Sequence, residues 1–558
     1  MGKKQRNPDS ARPPEPRLSP TAWIEKHSTL VFVGLLALAT LRVAATYAVF
    51  NHTADEPGHI AVGMQWLDEG RYTYESQHPP LARIAVAFGP FLMGRHTANQ
   101  PNRDKEGVDI LYGDGHYMRN LTLARMGILP FFWISCIVLY AATRASLGEA
   151  VGLCAVFLYS FLPPVLAHAG LATTDMPLTA MLAASFVTGL MWLQRPDTRR
   201  SVLFGACTGL AIVSKFSIFA FLPVSAVAAL LCYLVAARTG WPTLLADTRR
   251  RFVPLLLAVA VAILVVWTVY RFSVGKAASV GMTLPFPELF DGTKEVFDHN
   301  AIGHPAYLFG KRSHFGWWYY YPVVLAVKTP LPFLALFFVG LAVSLGKSRR
   351  ALAAYWLPLA FSLGILFFSL TSHINIGVRH ILPVYLGFSI TAAIGAVWLC
   401  RQSSTARWAP WILGALLVWH AATSLLSHPD YIPYTNLLAG DYPERILVDS
   451  DLDWGQDMIR LGKRLRELGA RQVAFNPLVM SYLEEAHGFP PITLMQPTRP
   501  SPGWNAASLT VMLSGRLGMY DQFPNVKLWT EGVKPTERVG KSIYLWYIPD
   551  PADLRRKP

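Results

Sequence analysis

Charged residues are scarce in this chain of 558: only 15% are Asp, Glu, Lys or Arg, where a soluble domain carries about 25%. With 52% hydrophobic residues and a mean hydropathy of +0.31, that shortage excludes an ordinary water-soluble globule and points to lipid. Cysteine is sparser still. Cys136, Cys154, Cys207, Cys232 and Cys400 all fall in apolar stretches, with no CxxC pair and no Cys/His metal spacing. They read as packing residues, which argues against a disulfide scaffold and against a cysteine metal centre. No small-residue cleavage site follows the apolar run that begins near Leu30. The run is too long for a signal-peptide core and reads as an uncleaved first span. No internal repeat is present. The net charge of +15 would suit nucleic acid, but the basic residues are confined to short segments between apolar runs, which argues against that partner.

What is abundant is long apolar sequence. A membrane helix needs about 20 mainly apolar residues, and the chain offers about eleven such runs by that test: 28–49, 121–142, 149–167, 176–194, 201–219, 220–237, 252–270, 321–345, 351–369, 380–400 and 408–426. Charge orients them. Lys3, Lys4, Arg6, Arg12, Arg17 and Lys26 precede the first run. Arg144, Arg195, Arg199, Arg200, Arg238, Arg249, Arg250, Arg251, Lys347, Arg349, Arg350, Arg401 and Arg407 follow the even-numbered ones. All fall on one side, which the positive-inside rule makes cytoplasmic. The expected architecture is mainly α and polytopic. It has a basic, proline-rich, disordered tail at 1–27 and a membrane region at 28–426 with exterior loops 50–120 and 271–320. A small exterior α/β domain follows at 427–558. In it RQVAFNPLVM, ASLTVMLSG and KSIYLWYIP read as strands and MIRLGKRLRELG as a helix.

The exterior side gathers the chemistry. The first loop opens His52-Thr-Ala-Asp55-Glu56-Pro57-Gly58-His59, and Ile60, Met64 and Leu67 follow at the spacing of an interfacial helix. His78-Pro79-Pro80-Leu81 comes later, and Asp175 stands in Thr-Thr-Asp-Met-Pro before the fourth run. Locally, Asp55, Glu56 and Asp175 suit helix starts as caps. Capping does not explain paired acids and histidines at the exits of successive spans, whereas a site that handles an acceptor hydroxyl needs a carboxylate base. Cations lie at the same level: Lys215 near the end of the fifth run, Lys328 inside the eighth, and Arg379-His380 opening the tenth. A basic group within a span needs a partner or a function, and these suit a lipid phosphate; snorkelling is the plainer role for Lys215. The run Trp317 to Tyr321 reads first as an interface belt. Asp55, Glu56, His59 and His78 would offer ligands to a divalent cation, at no spacing that identifies one. The acids from Asp449 to Asp457, with Asp453 and Trp454, do not have EF-hand spacing. They read as a helix start docked on the membrane region, bordering the acceptor path.

These motifs, with YLFGKRSHFGWWYYYPVVLAVKTPLP, GVRHILPVY and YTNLLAGDYPERILVDSDLDWGQDM, occur in an order that resembles the membrane glycosyltransferases using polyprenyl-phosphate sugars. That group contains the protein O-mannosyltransferases and the bacterial aminoarabinose transferases, similar to glycosyltransferase family 39. The resemblance implies a GT-C fold and an inverting transferase of a bacterial inner membrane. Its donor would be a polyprenyl-phosphate-linked sugar, its acceptor a lipid, protein or glycan. By the same resemblance Asp55 would be the catalytic acid of the first loop and Asp175 a second acid near the donor; as a base, Asp55 would have its pKa raised by the dryness of the membrane face or by neighbouring Glu56. Lys328 and Arg379 would face the phosphate, with Lys215 and His380 nearby. His78 stands where some relatives have a lysine, so it would bind phosphate or a metal, or do neither. Two readings of other classes stay open: a transporter or lipid flippase, which the lack of an inverted repeat and of a broken helix pair disfavours, and a non-catalytic sugar-binding protein.

Overall fold

The structure, a computed structural model, describes residues 26–237, 241–347, 352–402, 406–515 and 526–550. All but the last two residues of the expected tail lie outside these, as do Arg238, Arg349, Arg350 and the side chain of Arg249. Among the described residues six helices are long and apolar enough to cross a membrane: Tyr117–Leu147, Asp175–Gln194, Ile218–Val235, Arg250–Val269, Val384–Arg401 and Ala409–Leu426. Two bent pairs raise the number to eight. Val384–Arg401 and Asp175–Gln194 are the inner helices, 72% and 67% buried, whereas Arg250–Val269 and Ala409–Leu426 are 17% buried and turn apolar side chains outward. Small residues bring the inner helices close. A methyl on Gly340 would overlap the Thr391 carbonyl, and Gly395 faces Leu336 in the same way, so the helices Leu331–Leu345 and Val384–Arg401 touch backbone to backbone.

The expected straight span 321–345 is instead two helices, Tyr320–Lys328 and Leu331–Leu345, bent by 114°. Thr329-Pro330-Leu331-Pro332 is the cause, since proline removes a donor and clashes with the preceding turn. The freed carbonyls find partners on a distant segment. Asn436 donates from its side chain to Ala326 and Thr329 at 2.6 and 2.7 Å, and from its backbone to Val327 at 2.8 Å. Irregular backbone within a membrane protein has to be satisfied by protein in this way. A second break, of 70°, separates Glu149–Ser160 from Pro163–Ala169 at Pro163-Pro164. The absence of broken helices inferred from sequence is thus corrected. The fifth run, 201–219, is also shorter than expected. Its helix, Thr198–Ile212, ends before Lys215, which sits in the turn ahead of Ile218.

The long segments come together over one end of the bundle. The helix Glu56–Glu69, expected to lie at an interface, is buried from Glu56 through Gln65, packed against Pro80–Leu92 and Arg103–Tyr112. The C-terminal segment forms a five-stranded sheet in the order Ile492–Thr493, Val473–Asn476, Gly503–Ser508, Ile543–Ile548, Glu537–Val539. The expected strands at 471–480 and 541–549 are there, as is the helix, Met458–Glu467. The stretch ASLTVMLSG is not one strand: Ser508 accepts from the Val511 N–H at 3.3 Å and starts the helix Leu509–Leu513. Leu509, Ala507 and Trp546 share one apolar core with the membrane helices.

Candidate active site

Asp55 sits at the N-terminal cap of Glu56–Glu69, yet its side chain makes no capping hydrogen bond. Its Oδ2 accepts instead from Nη1 of Arg379 at 2.8 Å. Arg379 belongs to the 3-10 turn Val378–Ile381 between two membrane helices. Its guanidinium lies 4.1 Å over the Trp454 ring, a favourable cation–π stack, and 3.9 Å from Oδ2 of Asp175. Oδ1 of Asp175 accepts from Nζ of Lys215 at 2.6 Å. A chain of alternating charge, Asp55–Arg379–Asp175–Lys215, therefore joins four segments that are far apart in sequence. It is not saturated: among the described residues Asp175 Oδ2 and Arg379 Nε are buried without a hydrogen-bond partner.

The chain borders a cavity of about 570 Å³. Of the residues expected from sequence, Asp55, His59, His78, Lys215, Arg379, His380 and Trp454 line it. Another part of the wall is aromatic, with Phe216, Phe219, Phe221, Phe297 and Phe368. Asp175 lies behind the wall, reaching the cavity through its cation partners.

Three expected residues are placed elsewhere. Glu56 has no free lone pair to offer. Oε1 accepts from Arg125 Nε at 2.8 Å and the Ala172 N–H at 2.9 Å, and Oε2 from Arg125 Nη2 at 2.9 Å and the Thr53 N–H at 2.7 Å. This turns it away from Asp55 and takes it out of the four-residue metal set. Among the described residues no group of three His, Cys, Asp or Glu is placed to hold a metal ion. Lys328 is 1% exposed and is absent from the cavity wall. Its ammonium donates to the carbonyls of Ile432 and Asp451 at 2.6 Å each, fastening the C-terminal segment to the 114° bend. Asp453 is spent on Ser508, the Thr510 N–H at 2.9 Å and the Gly455 N–H at 3.1 Å. Sequence reasoning passed over Arg103, His299 and His304, and did not single out Asp449 from its acid cluster; all four line the cavity. The acid cluster around Asp449 was visible, but nothing in its spacing says which member faces inward.

Protonation follows the contacts. Burial alone would raise the Asp55 carboxyl, but the Arg379 guanidinium overrides it and the net shift is downward. The pKa expected to rise beside Glu56 is thus lowered. Burial, reinforced by Arg83, holds His59 down to about 3, and it holds His78 and His380 well below the usual imidazole range. These three histidines are neutral at pH 7; His59 Nδ1 accepts from Arg83 Nε at 3.3 Å, and Lys215, Arg379 and Arg103 are the lysine and arginine side chains of the wall.

A family model described as dolichyl-phosphate-mannose-protein mannosyltransferase matches residues 122–270. The chain is similar in fold to the crystal structure of ArnT from Cupriavidus metallidurans bound to undecaprenyl phosphate, with a TM-score of 0.51 and 14% identity over 94% of this chain and 98% of that one. Apo ArnT from the same organism gives 0.50 and 15%, over 93% and 98%. Among curated proteins none matches. With its apolar helices and this likeness in architecture across nearly its whole length, the chain is a multi-pass membrane protein with the GT-C glycosyltransferase fold.

Proposed function

We propose that this protein is an inverting glycosyltransferase. It moves a sugar from a polyprenyl-phosphate carrier to an acceptor hydroxyl on the outer face of a bacterial inner membrane. One observation carries the reading: a single cavity joins an ionised carboxylate, Asp55, to the cations Arg379 and Lys215 and to a phenylalanine wall. The cations suit a phosphate that leaves with a growing negative charge, and the apolar wall suits the start of a prenyl chain. Asp55 receives the hydrogen bond of the acceptor hydroxyl and faces the positive charge that develops at the anomeric carbon. The deciding experiment is incubation of purified protein with undecaprenyl-phosphate sugars. Transfer or hydrolysis supports the reading. The two broken helices also suit a lipid flippase, and movement of lipid without sugar release would favour that.

We count as crossings the six long spans, the two bent pairs and three shorter helices, Ser28–Ala44, Thr198–Ile212 and Leu352–Ser369, which gives the eleven expected from sequence. An odd number puts the two ends on opposite sides, and the positive charges make the N-terminal side cytoplasmic and the segment after Ser427 exterior. A single cysteine introduced at exposed Tyr442, in a variant whose five native cysteines have been replaced, should react with an impermeant maleimide in spheroplasts. Labelling only after lysis would reverse this topology.

Donor binding should depend on Lys215 and Arg379. A charge-assisted hydrogen bond contributes about 1.5–3 kcal/mol, so Lys215→Ala or Arg379→Ala should weaken undecaprenyl phosphate binding by roughly ten- to a hundredfold. Lys328→Met should instead lower the melting temperature and leave affinity near wild type. Normal affinity in folded Lys215→Ala would remove that residue from the phosphate site.

A further inference from the structure

A second carboxyl group stands on the cavity wall. Asp449 reaches it from the C-terminal segment, with a left-handed backbone at φ of 61°. Residues with a side chain seldom adopt that conformation, and Asp and Asn adopt it most readily. Here it is held from both sides. The Asp449 N–H donates to Thr510 Oγ1 at 2.9 Å, and its carbonyl accepts from the N–H groups of Leu452 and Asp453 at 2.9 and 2.8 Å. Thr510 is fixed in turn by Asp453, through its N–H at 2.9 Å and its hydroxyl at 2.7 Å. Buried Asp453 thus has a positioning role one layer back. The Asp449 side chain itself accepts from the Ser450 N–H at 2.6 Å. Among the described residues no cation comes within ion-pair distance of it, whereas Asp55 is bound to Arg379.

From this placement we propose that Asp449 takes the proton of the attacking hydroxyl, an assignment that rests on the transferase reading above. The hydroxyl oxygen forms the new bond to the anomeric carbon. The bond from that carbon to the phosphate oxygen breaks, and its electron pair leaves with the phosphate. The hydroxyl proton passes to the Asp449 carboxylate and from there to water. Asp55, tied to Arg379, remains ionised throughout and orients the hydroxyl.

Electrostatics divides the two acids in the same sense. Burial pushes the Asp449 carboxyl up to about 7, Asp55 and Asp451 add to the rise, and Arg379 opposes it. Tyr320, at the start of the short helix Tyr320–Lys328, is near enough to interact with it electrostatically. A base is most effective when its pKa is near the working pH, and two carboxyls whose surroundings drive them apart mark separate roles.

Asp449→Asn tests this cleanly, because asparagine keeps both the shape and the left-handed backbone. The full-length protein would be assayed with a panel of undecaprenyl-phosphate pentoses and hexoses, with water or an alcohol as acceptor, and binding measured with undecaprenyl phosphate. In the wild type, kcat/KM should rise with pH through about 7. In Asp449→Asn, kcat should fall by at least about 100-fold, the rise should vanish, and carrier affinity should stay. Asp449→Glu should recover part of the rate and a displaced pH limb. An active wild type with an equally active Asp449→Asn showing the same pH limb overturns the assignment alone. A wild type that neither transfers nor hydrolyses any donor overturns the transferase reading and this assignment with it.

Discussion

Asp55→Asn should fold, bind undecaprenyl phosphate at least as tightly as the wild type, and lose turnover by about 10²–10³-fold. The loss follows from charge. Displacement at an anomeric carbon passes through an oxocarbenium-like state, and a fixed carboxylate beside it acts where charge develops, a contribution of about 10²–10³ when one such group is removed. The amide keeps the shape and a carbonyl acceptor but carries no charge. The retained affinity follows from the ion pair, since Arg379 Nη1 is held by Asp55 at 2.8 Å and by Asp175 only at 3.9 Å. Releasing the first partner frees a cation for the phosphate. Binding of the carrier and single-turnover transfer would be measured on the same preparation, with the anomeric configuration of the wild-type product read by NMR. Near-normal turnover would return Asp55 to a structural role. Retained configuration would point to a glycosyl-enzyme intermediate.

How much of this was legible in the sequence depends on the range of the interaction. Membrane spans are local, a matter of about 20 apolar residues, and the expected runs other than 201–219 correspond to helices or bent pairs with ends near those expected. Where the reading slipped, the cause was a long-range partner. Nothing near Lys328 announces that its ammonium is claimed by the carbonyls of Ile432 and Asp451, more than a hundred residues on. Asn436 is equally silent about the carbonyls it satisfies at the 114° bend. The gathering of Asp55, Asp175, Lys215 and Arg379 was legible because topology alone puts span exits on one face. The division of labour between neighbouring acids was not. Asp55 and Glu56 are adjacent, but successive residues on a helix point about 100° apart, and that turn sends one carboxylate to the cavity and the other to Arg125. Asp449 and Asp453 also part, one facing the cavity and one locking Thr510, because the left-handed backbone at Asp449 breaks any helical spacing between them.

Glu56 and Arg125 form the second place where a large effect is expected, on stability. Their side chains are 0% and 1% exposed and meet in a two-pronged pair at 2.8 and 2.9 Å. Arg125 also donates to the carbonyls of Phe50 and Asn51 at 3.2 and 2.8 Å, and Glu56 accepts from the N–H groups of Thr53 and Ala172. The pair welds the start of the first long segment to the helix Tyr117–Met126 and to the turn that precedes Asp175. Removing one member strands a buried charge, which costs about 3–5 kcal/mol. Arg125→Met and Glu56→Gln should each lower the melting temperature in detergent, and the double variant should be less destabilised than the two singles together, because it strands no charge. Acid should act like the variants. Burial would raise the Glu56 carboxyl, but Arg125 prevails and lowers it. Its contribution is then present above the ordinary glutamate pKa and is lost as pH falls through the lowered one. Thermal unfolding followed beside turnover separates this role from chemistry. A Glu56→Gln protein with the wild-type melting temperature but at least 100-fold less turnover would place Glu56 in the reaction after all, whereas loss of rate only in step with loss of fold keeps it as the brace that sets where Asp55 stands.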